Sequence, residues 1–212
     1  WIQQQTAGIS TLNNFAALLF ILPYFIFSAT AGQLADKYER SQLVRMLKIA
    51  EILIMLIGTA GFLLGSLWLL LLALFLMGTH STFFGPIKYA ILPEILKPNE
   101  LMSGNALFQS GTSMAILIGM ILGGAVISMS QGNLLWISLT VLTIACLGYF
   151  SSRFILKQEV SSPNIQIDWN FFRTSFQTVK YAKSLPLIFF ILFGNSWYWF
   201  YGATYLTQIP QL

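Results

Sequence analysis

The sequence predicts an all-α polytopic membrane protein, and three observations carry that prediction. Of the 212 residues, 56% are hydrophobic and only 8% are charged, whereas about a quarter of the residues in a soluble domain carry a charge. The apolar residues form six long blocks, each near the roughly 20 residues that a helix needs to cross a bilayer. All 11 Lys and Arg residues lie in or beside alternate connections between these blocks.

The six predicted spans follow these blocks, with bounds good to a few residues. They run over about 14–35, 43–64, 67–92, 102–129, 134–156 and 185–206. The connections after the first, third and fifth spans contain or adjoin every basic residue, whereas those near 65–66 and 130–133 contain none. By the positive-inside rule, the basic connections are cytoplasmic.

This orientation also bears on the two ends of the chain. With the basic connections inside, Trp1 and Leu212 both lie outside, and the first residue is not Met. We therefore expect a fragment that lacks at least one helix upstream and several helices downstream.

The one long connection, 157–184, is expected to be a cytoplasmic linker between two membrane halves. In its second part, helical spacing places four apolar residues on one face: Trp169, Phe172, Phe176 and Val179. Asp168 can cap the N-terminus of this helix, and Lys180 and Lys183 suit its C-terminus. The pattern predicts an amphipathic helix that lies on the inner membrane surface.

The stretch GQLADKYERSQLVR, residues 32–45, joins the first two predicted spans. Gly32 lets another helix approach closely, and Asp36 can face the positive N-terminus of a helix from the other half. A contact of that kind, made in one conformation and broken in the other, would bias the equilibrium between the two. A solvated basic loop is the alternative interpretation.

This loop resembles the signature loop of the major facilitator superfamily. The matching residues are Gly32, Leu34, Ala35, Asp36, Lys37 and Arg40. The pattern usually has a second glycine where this chain has Glu39, and a further basic residue near Ser41. The resemblance implies a transporter fold of which this chain would cover helices 2–7 of about twelve. It also implies a conformational switch made of Gly32, Asp36, Lys37 and Arg40.

A second stretch, GTHSTFFGPIKYAILPE at 78–94, is followed by NALFQSGTSMAILIGMILGG at 105–124. Its core, 86–89 together with Leu92 and Asn105, resembles the lysophospholipid transporter branch of the superfamily. Members of that branch occur alone or fused to an acyltransferase and an acyl-carrier-protein synthetase. The resemblance implies movement of lysophospholipids across a bacterial inner membrane for re-acylation, with such an enzyme as a fused or associated partner.

Lys88 has two interpretations. Pro86 frees the carbonyl of Thr82 and bends the helix, so the ammonium group of Lys88 can be aimed inward at a lipid phosphate. Alternatively, Lys88 lies about one turn from the cytoplasmic end and snorkels to the interface. The resemblance favours headgroup binding, at a site formed by Lys88, Tyr89, Asn105 and Gln109.

Small residues recur near one face of the fourth predicted span, at Gly104, Gly111, Ala115, Gly119 and Gly123. Residues of this size let two membrane helices pack closely, so we expect helix-packing roles for Pro86, Gly111, Gly119 and Gly123. A neighbouring stripe of Asn105, Gln109 and Ser113 either lines the cavity or forms hydrogen bonds between helices.

Two further titratable residues lie inside predicted spans. His80 is the single histidine, and the Asp that an acyltransferase motif requires is replaced by Gly85. We expect His80 to take part in packing or a polar network, with proton carriage as the alternative. Glu51 is expected to pair with Lys48 near the interface, with a proton relay as the alternative.

The expected organisation is a transporter half at 1–156 that lacks its first helix, a linker at 157–184, and the first helix of the second half at 185–212. No catalytic, metal or nucleotide-binding pattern is present, so we expect neither enzyme activity nor a cofactor. The dispersed basic residues argue against nucleic acid, and the expected partners are lysophospholipid and membrane lipids.

Rival functions are an exporter of drugs or small metabolites, and the membrane portion of a fused acyltransferase. The expected location is a bacterial inner membrane, crossed several times.

Overall fold

The computed structural model describes residues 2–157 and 164–208, and the regular secondary structure in those ranges is helical throughout. The helices are α1 (Ile2–Lys37), α2 (Arg40–Leu63), α3 (Leu67–Ala90), α4 (Leu92–Ile95), α5 (Leu101–Met129), α6 (Leu134–Ser152), α7 (Phe171–Lys183) and α8 (Pro186–Gln208). Among the described residues, five helical stretches are long and apolar enough to cross a membrane. The pair of α7 and α8, bent by 117°, can supply a sixth crossing. The predicted all-α polytopic membrane class is confirmed.

Two of the predicted spans differ from the observed helices. α2 begins at Arg40 rather than near residue 43, because the Glu39 side chain caps it by accepting hydrogen bonds from the backbone N–H groups of Ser41 and Gln42, both at 2.9 Å. The third predicted span is divided into α3 and the short α4, in whose first turn Pro93 lies.

Short turns join the helices on the side predicted to be outside. Gly65, between α2 and α3, has a φ of 60°, and Gly132, before α6, has a φ of 85°. Both values lie in the left-handed region that glycine adopts without steric cost. Asn133 then caps α6 by accepting a hydrogen bond from the Leu135 N–H at 3.0 Å. These turns lie in the two uncharged connections of the sequence.

α3 packs against both α1 and α2, and α2 also packs against α6. α1 and α3 approach closely at Gly78, where an added Cβ would clash with the carbonyl oxygen of Phe20. Toward the end predicted to be cytoplasmic, Ala35, Val44 and Ile87 form a small buried core. This core supports the residues of the candidate site.

α5 is far less packed, because none of its residues is buried among the described parts of the chain. A Cβ added at Gly111, Gly119 or Gly123 would meet nothing within 4 Å, whereas one at Gly104 would clash with the Leu96 side chain. The packing role of Gly111, Gly119 and Gly123 therefore remains a prediction.

The chain from Asp168 onward forms a second compact unit. Its helix α7 is capped by Asn170, whose Oδ1 accepts from the Arg173 N–H at 3.0 Å. The prediction that Asp168 caps this helix is wrong, because Asp168 instead accepts from the Asn170 N–H at 2.9 Å, in a turn that precedes the helix. The predicted apolar face is exposed at Trp169, Phe172, Phe176 and Val179.

Candidate functional site

Lys88 lies near the C-terminal end of α3, which continues through Pro86 to Ala90. Its Nζ is 4.9 Å from the centroid of the Tyr89 ring and 5.8 Å from that of Phe108 on α5. In the ranges that the structure describes, no carboxylate pairs with Lys88. Aromatic faces stabilise a cation without neutralising its charge, so the ammonium group keeps its charge for an anion.

A cavity of about 450 Å³ adjoins this lysine. Its lining contains Val44, Phe84, Lys88, Ile91, Leu92, Ile95, Phe108, Phe154, Ile155 and Leu156. Lys88 is the single charged residue in that lining, and the other side chains are apolar. Sites for small molecules commonly combine an apolar wall with a few polar groups that fix orientation. This cavity therefore suits an amphiphile with an anionic head.

A second cavity, of about 530 Å³, shares Leu92, Ile95 and Phe108 with the first. Gly111 and Thr112 of α5 line it, and the rest of its lining is apolar. Because they share lining residues, the two cavities adjoin, and we refer to them together as the apolar path beside α5. Gly111, predicted to pack against another helix, lines this path.

Tyr89 connects α3 to α5. Its hydroxyl donates a hydrogen bond to Oε1 of Gln109 at 2.8 Å, and its ring meets that of Phe108 edge-on, with centroids 6.2 Å apart. Three of the four predicted substrate residues, Lys88, Tyr89 and Gln109, are thus brought together. Asn105 lies one turn earlier on α5, where its amide nitrogen donates to the Leu101 carbonyl at 2.9 Å.

Phe108 is the member of this group that the sequence interpretation missed. It contacts both Lys88 and Tyr89 through its ring. Its only signal in the sequence is an aromatic residue directly before Gln109, in a helix where aromatic side chains are otherwise absent.

Arg40 is the centre of the predicted switch loop. Its guanidinium group forms an ion pair with Glu94 of α4, lies 3.8 Å from Oδ1 of Asp36, and donates through Nε to the Ala35 carbonyl at 3.2 Å. Arg40 is buried, whereas the side chain of Asp36 is 52% exposed. One side chain therefore joins the end of α1, the start of α2 and α4.

The other switch residues lie outside this ion-pair network. Lys37 places its Nζ 5.9 Å from the centroid of the Tyr38 ring. A Cβ added at Gly32 would meet nothing within 4 Å, so this glycine leaves open space on α1. Glu94, which completes the network, was not predicted from the sequence.

Comparison with known proteins gives one family and a set of relatives. The sequence profile described as the Major Facilitator Superfamily matches residues 1–212. A lysophospholipid transporter LplT of Pectobacterium carotovorum subsp. carotovorum is 31% identical over 113 residues, which cover 52% of this chain and 26% of that protein.

Two further relatives carry the same name. The LplT of Yersinia enterocolitica is 28% identical over 131 residues, covering 60% of this chain and 30% of that protein. The LplT of Serratia proteamaculans is 31% identical over 110 residues, covering 50% of this chain and 25% of that protein. The matches thus span a quarter to a third of the relatives' length. No solved structure is matched.

Proposed function

Because the chain belongs to the major facilitator superfamily, we propose that it is part of a transporter that moves lysophospholipids across a bacterial inner membrane by alternating access. The likeness to proteins named lysophospholipid transporter supports this substrate class. The likeness covers about half of this chain, and the residues of the candidate site supply an independent argument.

The observation that carries the proposal is the chemistry around Lys88. A cation with no carboxylate partner among the described residues lies over two aromatic rings and lines an apolar cavity. A lysophospholipid has one phosphate and one acyl chain, so it offers an anion for the ammonium group and an apolar tail for the wall. Lysine meets a phosphate as a point charge and needs no fixed hydrogen-bond geometry.

In the proposed cycle, Lys88 holds the phosphate while the tail lies along the path beside α5. The polar groups of Tyr89 and Gln109 are adjacent and can contact the glycerol part of the headgroup. The Arg40–Glu94 pair, with Asp36, stabilises one conformation of the cytoplasmic side and must rearrange when that side opens. Re-acylation of the delivered lipid would require an acyltransferase, on the same chain or on a separate one.

The proposal is tested with the full-length transporter in proteoliposomes, by measuring uptake of radiolabelled lysophosphatidylethanolamine. Loss of a charged hydrogen bond costs about 1.5–3 kcal/mol, so we expect Lys88→Ala to reduce uptake about 10- to 100-fold. Lys88→Arg, which keeps the charge, should retain a measurable part of it. Lys97→Ala is the matched control, since this lysine is exposed and lies outside the cavity lining.

Unchanged uptake in Lys88→Ala, at equal amounts of folded and inserted protein, would contradict the assignment of the site. Uptake by the unaltered protein no greater than in empty vesicles would contradict the substrate class. That second result would favour an exporter of small metabolites instead.

A further inference from the structure

A second group of titratable side chains, apart from Lys88, lies where α2 and α3 pack together. Nζ of Lys48 is 2.7 Å from Oε2 of Glu51, and Nε2 of His80 is 3.7 Å from the same oxygen. The predicted Lys48–Glu51 pair is confirmed. Glu51 lies further from the start of its helix than predicted, because α2 begins at Arg40 and Glu51 is the twelfth of its 24 residues.

His80 is also near the middle of its helix, as the fourteenth of the 24 residues of α3. Its side chain is 7% exposed, and within the described ranges its Nε2 has no hydrogen-bond partner. The ring stacks on Phe84, with centroids 5.8 Å apart and planes 15° apart. A buried polar atom without a partner costs free energy, and ionisable groups inside a membrane commonly serve transport.

Among the described residues, the charged groups that the structure places beside His80 are Lys48 and Glu51, both on α2. α4, which also packs on α3, contains Glu94, whose carboxylate pairs with Arg40. α6, which packs on α2, contains no Asp, Glu, Lys or Arg. The titratable side chains on α6 are Cys146 and Tyr149. α1, which packs on α3, has Asp36 and Lys37 at its cytoplasmic end, and Tyr24 within the span. With His80 neutral, Lys48 and Glu51 therefore balance each other.

We propose that His80 takes up a proton on Nε2 within the membrane, with Glu51 as its counter-charge, and that this proton controls the transport cycle. The carboxylate oxygen nearest to Nε2 is the one that Lys48 already contacts. Protonation therefore places two cations on one oxygen and weakens the Lys48–Glu51 pair. This inference rests on the proposed transport function.

The displaced lysine has a defined neighbour on α6. A Cβ added at Gly148 would lie 3.3 Å from Nζ of Lys48 and 3.6 Å from its Cε, so the glycine makes room for this side chain. The ammonium group is also 5.1 Å from the centroid of the Phe84 ring. A proton bound on α3 thus changes a contact between α2 and α6. Protonation of His80 would alter the packing of the helices by this route.

A proton fits this group better than a metal cation does. Sodium would compete with an ammonium group that already lies 2.7 Å from Glu51. Within the described residues, no group of three or more His, Cys, Asp or Glu side chains is arranged to hold a metal ion.

The first test measures the proton site without transport. Hydrogen–deuterium exchange at the C2 position of the His80 ring, followed by mass spectrometry of the full-length protein in nanodiscs, reports the protonation of that ring. We expect a sigmoidal curve between about pH 5 and pH 8, with a midpoint that changes in Glu51→Gln. A curve without an inflection in that range would overturn the proposal, as would a midpoint that Glu51→Gln leaves in place.

The second test measures lysophospholipid uptake over the same pH range. In the unaltered protein we expect the rate to change several-fold, and in His80→Asn to become independent of pH. Lys88→Ala should lower uptake at every pH and keep the pH dependence of what remains. A pH dependence that persists in His80→Asn would refute control by this histidine. Absence of uptake in all variants would refute lipid transport, and the exchange curve would still decide the proton site.

Discussion

The guanidinium group of Arg40, at the start of α2, pairs with the carboxylate of Glu94 in α4, and this pair joins two segments that are distant in the sequence. The side chain of Arg40 is 6% exposed and that of Glu94 is 23% exposed. Asp36, also near Arg40, is the weaker partner, because its carboxylate is 3.8 Å away and half exposed.

Removing one partner of this pair should therefore destabilise the protein strongly. We expect Glu94→Gln to lower the free energy of unfolding by about 3 kcal/mol, since it leaves a buried arginine without its main counter-charge. Asp36→Asn, the matched control, should cost less than about 1 kcal/mol, as is usual for exposed ion pairs. Denaturation with SDS in mixed micelles measures both values, and equal effects would show that the two carboxylates are equivalent.

Tyr89 contributes a ring and a hydroxyl, and two substitutions separate their roles. Tyr89→Leu removes the ring that lies 4.9 Å from the Lys88 ammonium group, and we expect it to weaken lysophospholipid binding about 3- to 10-fold. Tyr89→Phe keeps the ring and removes only the exposed hydrogen bond to Gln109, so its effect should be about two- to threefold, the low end for a neutral hydrogen bond. Calorimetric titration with lysolipid measures both. A larger loss in Tyr89→Phe would mean that the hydroxyl, rather than the ring, positions the lysine.

Gly78 should tolerate no side chain. We expect Gly78→Ala to prevent the normal packing of α1 on α3, because the new Cβ would clash with backbone, which cannot rotate away. The control is Gly85→Ala on the same helix, where a Cβ would meet nothing within 4 Å. Fluorescence-detected size-exclusion chromatography of detergent extracts should show loss of the monodisperse peak in Gly78→Ala alone. An intact peak would mean that α1 shifts to accommodate the methyl group.

The class of the fold was predictable because crossing a membrane imposes a one-dimensional signature on the sequence. Apolar length and the distribution of Lys and Arg depend on each residue's own position along the chain. The Lys48–Glu51 pair was predictable for the same reason, since residues three apart are neighbours on any helix. Only the position of this pair along α2 was predicted wrongly, because the cap formed by Glu39 moves the start of the helix.

Contacts between helices were not predictable in the same way. Phe108, Glu94 and Gly78 each meet a partner on another helix, and in a membrane protein the lipid-facing and protein-facing surfaces are both apolar. The regular glycine spacing on α5 led to the packing prediction. Gly78, where an added Cβ would clash with the backbone of another helix, lies outside that pattern. Similarly, His80 is close to Glu51 only because α2 and α3 are adjacent.

Glu39 occupies the position where the superfamily pattern usually has a glycine, and its carboxylate holds the first turn of α2. The start of α2 is thus fixed by a side chain at a position where the pattern has a residue without one. A motif search that requires the glycine would reject chains in which an acidic side chain caps α2. The motif is therefore better defined by the helix start that it forms than by its residue types.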